Sequence, residues 1–240
     1  MPLSIASEIA ALDDRALLWL NQFMFRWPFL DRSVAWLLNA HIVKFGPIVL
    51  AVCWLWFERN PKQAFNRHLL VESVLTGFAA LVVARALALA LPFRYRPAVR
   101  PDLHFVVPFD AGLRTWSSFP SDHAVMAFAL AASRFRRSPR LGVLACLHTA
   151  VIICLPRLYL GLHHPSDLIS GGLIGVTFVL ATSRLQGHHA ITASLMEAER
   201  KHPAMFYAIG FLVLYEITEM FDSFRALALP AFRVLRQVLA

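Results

Sequence analysis

The stretch "VLTGFAALVVARALALALP", residues 74–92, carries one charge in nineteen residues. A run of that length matches the roughly 20 apolar residues needed to cross a hydrocarbon core. The stretch belongs to one of six apolar runs, near 36–57, 69–91, 121–135 (short for a span), 141–160, 166–184 and 203–221. The composition agrees, with 58% hydrophobic and 16% charged residues, where soluble domains hold about 25% charged. The expectation is an all-α integral membrane bundle of about six transmembrane helices, forming a single domain over 1–240. Ahead of it, "IASEIAALDDRALLWLNQFMF" alternates apolar and polar residues at helical spacing. That pattern predicts an amphipathic helix in the membrane interface, within residues 1–33, rather than another span. Glu8, Asp13 and Asp14 lie where a signal peptide would be basic, so no cleavable leader is expected. Cys53, Cys146 and Cys154 all fall in apolar runs and suggest neither a disulfide framework nor a zinc site.

The net charge is +8, but the cations lie between apolar runs. That arrangement suits anionic lipid and phosphate rather than nucleic acid. Arg59, Lys62, Arg67, Arg134, Arg136, Arg137, Arg140, Arg184, Arg200 and Lys201 share one face of a six-span layout. The positive-inside rule makes that face cytoplasmic. Loops 92–120 and 157–165 then face away from the cytoplasm.

Three polar segments stand on that outer side. In "SSFPSDHAVMAFALA" Ser121 is placed to start a helix, whose free N–H groups and dipole attract anions, with His123 in the same turn. In "LPRLYLGLHHPSDLISGG" His163 and Asp167 are four apart, Pro165 suits a first helical turn, and Arg157 supplies a permanent cation. A carboxylate beside one imidazole nitrogen leaves the other free to act. In "ARALALALPFRYRPAVRP" Arg94, Arg96 and Arg100 follow a span on the outer face, against the usual charge bias. Each segment also has an ordinary reading: a capping serine, interfacial histidines, snorkelling arginines.

Taken together, the segments resemble the signature of the type 2 phosphatidic acid phosphatase family, which shares its core with the vanadium haloperoxidases. The signature reads Lys-x6-Arg-Pro, Pro-Ser-Gly-His and Ser-Arg-x5-His-x3-Asp. Arg96-Pro97 matches the first part, Pro120-Ser121 and His123 the second, and Arg157, His163 and Asp167 the third, so the resemblance runs over 85–172. It implies that His163 is the nucleophile forming a phosphohistidine, that Asp167 orients it, and that His123 protonates the leaving oxygen. Arg96, Arg157 and Ser121 with the following amides would hold the phosphate oxygens. Arginines and helix-start amides provide the positive field, so no cofactor and no metal are expected.

Three positions depart from the signature. Leu89 stands in place of its lysine, and Arg85, one turn earlier, is the substitute considered. Arg94 is a further candidate phosphate ligand. Asp122 replaces the glycine and puts a carboxylate beside an anion site, where it must point away, pair with an arginine or be partly protonated. Pro156 replaces the serine before Arg157.

The resemblance implies a lipid phosphate or diphosphate phosphatase in a bacterial inner membrane, with its site facing the periplasm or exterior. It allows undecaprenyl diphosphate, phosphatidic acid and phosphatidylglycerol phosphate, the polyprenyl carrier being the first choice. The rival readings are a lipid-to-lipid phosphotransferase and an inactive lipid-binding or transport protein. The membrane and its lipid phosphate are the only partners expected; the oligomeric state is open.

Overall fold

Gln63–Ala90, Pro139–Tyr159 and Pro165–Thr182 are long and apolar enough to cross a membrane, and Gly46–Phe57 is apolar but shorter. The computed structural model describes residues 5–106, 114, 116–184 and 186–223, and every regular element among them is helical. In chain order these are α1 (Ile5–Asn21), α2 (Pro28–Asn39), α3 (His41–Lys44), α4 (Gly46–Phe57), α5 (Gln63–Ala90) and α6 (Asp122–Ser133). They are followed by α7 (Pro139–Tyr159), α8 (Pro165–Thr182), α9 (Gln186–Lys201) and α10 (Pro203–Glu219).

The run near 36–57 is broken into α2, α3 and α4 rather than forming one span. Pro47 opens α4, and the freed Leu38 carbonyl accepts Lys44 Nζ at 2.5 Å. The side chain thus satisfies a backbone acceptor that a continuous helix would have bonded itself. His148, midway along α7, lies with Nε2 2.8 Å from the Lys44 carbonyl, an interhelical contact of the kind a polar residue in a span needs.

α6 is 12 residues long, about 18 Å at the helical rise, too short for the hydrocarbon core. It is enclosed instead: Ala124, Val125, Met126, Ala127, Ala129, Leu130 and Ala131 are all buried, between α5 and α8. α8 presents Gly171 and Gly175, four apart, to this helix. A methyl group at Gly175 would lie 2.4 Å from the Val125 carbonyl oxygen, and one at Gly171 would lie 2.7 Å from that of Ser121. Small residues at this spacing let two helix backbones touch. The starts of α6 and α8 are thereby fixed against each other, which matters because both carry the polar segments.

The N-terminal region is more than a surface helix. Asp13 and Leu17 of α1 and Asp31 of α2 are buried, while Ile5, Leu12 and Trp19 are exposed. Asp31 Oδ1 accepts the Tyr159 hydroxyl at 2.6 Å. At the opposite end of the bundle, Arg134 is buried and donates to Ser73 Oγ at 2.6 Å, and Arg136 pairs with Glu72. Some of the arginines counted toward a cytoplasmic face are therefore internal ties.

Candidate active site

Three loops interlace at the end of the bundle where α6 and α8 begin. The Ser118 N–H donates to the Arg94 carbonyl at 2.9 Å, and the Ala98 N–H to the Gly161 carbonyl at 2.7 Å. Segment 94–98 is thus stitched to segment 117–118 on one side and to the loop before α8 on the other. The Ser121 N–H donates to the Asp167 carbonyl at 3.2 Å, closing the ring of loops.

His163 sits inside this ring and is buried. Its Nδ1 lies 2.9 Å from the Ser118 carbonyl oxygen. A carbonyl only accepts, so Nδ1 carries the proton and Nε2 keeps its lone pair. Asp167 was expected to orient this ring, but its Oδ2 is 3.7 Å from Nδ1, beyond hydrogen-bond distance. The same Oδ2 accepts the His164 N–H at 2.8 Å and lies 3.2 Å from His164 Nδ1. The backbone of the opening segment, rather than the carboxylate, therefore sets the tautomer.

Arg96 Nη1 donates to the Leu162 carbonyl at 2.8 Å and lies 3.4 Å from His163 Nε2. The free nitrogen of the imidazole therefore faces a guanidinium. Burial drives the His163 pKa down to about 4, with Arg96 and Arg157 pushing the same way and Asp167 opposing. The ring is neutral at physiological pH, the form that has a lone pair to give.

Arg157 is buried and donates from Nη1 to the Ile153 carbonyl at 2.9 Å. Pro156 explains the local shape: without an N–H, and with a ring that clashes four residues back, it follows a wide π-helical turn over Thr149–Cys154. Such turns open a helix and expose carbonyls, and Arg157 occupies one of them. Ser121 stands at the N-cap position of α6, yet its hydroxyl makes no capping bond. Its Oγ is buried and has no hydrogen-bond partner among the described residues, at the helix end where anions bind. His123 follows in the first turn of α6, its ring 6.3 Å from that of Phe45.

Two expected phosphate ligands are occupied elsewhere. Arg94 Nη1 donates to Asp167 Oδ1 at 2.6 Å and to Ser166 Oγ at 2.8 Å, and its Nη2 to Asp13 Oδ2 at 2.6 Å. A guanidinium held by two carboxylates is a tie between helices. Arg85 Nη2 lies 2.5 Å from Asp122 Oδ1, so of the three fates open to that carboxylate, pairing is the one realised. Leu89, in the position of the signature lysine, is 85% exposed and turned away from the site. Phe105 packs against Met24, Tyr159 and Leu160; the loop residues 107–113 between it and Trp116 lie outside the described residues. Sequence reasoning missed Ser118, Ser166 and Asp13, because a backbone acceptor and contacts this distant leave no local pattern.

An all-helical membrane bundle with a buried neutral histidine among arginines at one helix-start rim defines the class. Residues 73–190, just under half of the chain, match the model of the PAP2 superfamily. The signature resemblance over 85–172 falls wholly inside the match. Among curated proteins, the chain is 26% identical over 147 residues to "Undecaprenyl-diphosphatase BcrC" of Bacillus subtilis, covering 61% of this chain and 70% of that one. It is 29% identical over 160 residues to "Lipid A 1-phosphatase" of Rhizobium johnstonii, covering 62% of this chain and 61% of the other. A solved structure, the first transmembrane PAP2 type phosphatidylglycerolphosphate phosphatase from Bacillus subtilis, aligns with TM-score 0.46 and 18% identity, covering 74% of this chain and 83% of that one.

Proposed function

We propose that this chain is a metal-independent membrane phosphohydrolase that cleaves a lipid phosphate or diphosphate, with a polyprenyl diphosphate as the preferred class. The observation that carries the reading is the His163 ring: proton held on Nδ1 by the Ser118 carbonyl, lone pair on Nε2 beside Arg96. Nε2 attacks phosphorus, the bond from phosphorus to the leaving oxygen breaks, and His123 delivers a proton to that oxygen. Water then attacks the phosphohistidine, His123 takes its proton, and inorganic phosphate leaves. Arg96, Arg157, the Ser121 hydroxyl and the amides of the first turn of α6 neutralise the charge spread over the phosphoryl oxygens, the main demand of phosphoryl transfer. The family and the named activities of two relatives support the substrate class. The positive-inside bias supports a site on the non-cytoplasmic side. Purified protein in detergent, assayed for phosphate release from undecaprenyl diphosphate, phosphatidic acid and lipid A, with and without EDTA, tests this. Release is expected with chelator present and lost in His163→Ala; an active His163→Ala variant overturns the mechanism.

A further inference from the structure

We infer that Asp13, in α1 and outside the family match of residues 73–190, is a positioning residue for this site; the inference rests on the proposed hydrolase reading. Asp13 is only 3% exposed, and both of its oxygens are bonded. Oδ1 accepts the Ser166 N–H at 2.9 Å, one of the orphan donors at the start of α8. Oδ2 accepts Ser166 Oγ at 2.5 Å and Arg94 Nη2 at 2.6 Å. The other nitrogen of the same guanidinium reaches Asp167 Oδ1 at 2.6 Å. Asp167 Oδ2 in turn fixes the His164 backbone N–H, next in the chain to the nucleophile. A continuous line of charge-assisted bonds therefore runs from α1 to the loop that carries His163.

Charge makes the line directional. Arg94 stands between two carboxylates, so each limits how far it leans toward the other. With Asp13 neutralised, the guanidinium is free to shift onto Asp167 and drag the first turn of α8 with it. The neighbouring ties belong to the same brace: Asp14 pairs with Arg100, and Asp31 holds the Tyr159 hydroxyl two residues from Arg157. α1 and α2 together grip two of the three segments that surround the nucleophile, the one carrying Arg94 and Arg100 and the one running from Tyr159 to Ser166. Asp13 touches none of the reacting atoms; it acts through Arg94 and Ser166.

The test is steady-state hydrolysis of undecaprenyl diphosphate by the full chain in detergent, comparing wild type with Asp13→Asn, Asp13→Glu and Arg94→Lys. Asp13→Asn is expected to lower kcat about tenfold to a hundredfold with KM within about threefold, the signature of lost alignment. Asp13→Glu should recover part of the loss. A purely structural role would lower the melting temperature and leave kcat per folded molecule unchanged, and that result overturns the inference. If Asp13→Asn yields no folded protein, Arg94→Lys decides: it keeps the charge and breaks the fork, and wild-type kcat in that variant also overturns it. A wild type that releases no phosphate removes the hydrolase reading and this inference with it, whereas an active wild type with an unaffected Asp13→Asn removes the inference alone.

Discussion

Arg85 and Asp122 form an ion pair at 2.5 Å between α5 and the first residue of α6, with side chains 30% and 16% exposed. The pair brings together two of the departures from the family signature, a cation one turn before the missing lysine and a carboxylate in place of glycine. A carboxylate beside a phosphate site repels substrate unless a cation cancels it. Arg85→Ala should therefore cost about tenfold or more in kcat/KM, in keeping with an uncancelled charge a few ångströms from an anion. In an Asp122→Gly background the same Arg85→Ala change should cost little. Equal losses in both backgrounds would show that Arg85 binds the phosphate directly.

The two histidines are expected to respond differently to the leaving group. On the proposed mechanism His163→Ala removes the atom that bonds to phosphorus, so turnover should vanish for every substrate. On the same mechanism His123→Ala removes the proton donor, a loss of about a hundredfold to ten-thousandfold. With p-nitrophenyl phosphate the leaving oxygen is stable without a proton, and the loss in His123→Ala should shrink toward unity. A loss of the same size on lipid and aryl phosphates would remove the general-acid role.

Acidification provides a separate check on His163. Its pKa in the folded protein lies near 4, against 6.5 for an ordinary histidine. Between those values the unfolded chain binds a proton that the native chain refuses. Stability from this group therefore rises with pH across about 4 to 6.5 and is constant above. The full effect is on the order of 3 kcal/mol at roughly 1.4 kcal/mol per pKa unit. Melting temperatures of wild type and His163→Gln should separate on going from pH 7 to pH 4.5, with wild type losing more. Imidazole NMR should show the ring still neutral at pH 6; a midpoint near 6.5 would contradict the burial account.

How much could be read from the chain varies with how local the cause is. Pro165 marks the start of α8 in the sequence, and the helix begins there. The run near 36–57 misled because its breaks depend on Lys44 reaching back to Leu38, which hydropathy does not register. His163, Arg96 and Arg157 stood out because their spacing matches a family signature, whereas the atom that fixes the His163 tautomer is a backbone carbonyl 45 residues away. Arg94 looked like a phosphate ligand because it stands among arginines on the outer face, against the usual charge bias. Its two carboxylates are 81 and 73 residues distant. Asp13 appeared as an acidic residue of an amphipathic helix with no role in the site, and its burial arises from tertiary contacts.

The glycine contact between α6 and α8 connects packing to catalysis. A methyl at Gly175 meets the Val125 carbonyl oxygen at 2.4 Å and the Ala129 nitrogen at 2.9 Å, both backbone atoms. Neither can rotate away, so Gly175→Ala must push the helices apart, an overpacking cost of about 1–3 kcal/mol. The displacement reaches the site through the Ser121 N–H bond to the Asp167 carbonyl, so kcat should fall along with stability. At Gly172 the nearest atoms belong to the Phe128 ring, at 3.0 Å, and a side chain can yield. Gly172→Ala should therefore be milder on both measures. Thermal melts and phosphate-release rates on the two variants check the ordering, and a Gly175→Ala protein as stable and as active as wild type would mean that the close approach of α6 and α8 does not hold the site together.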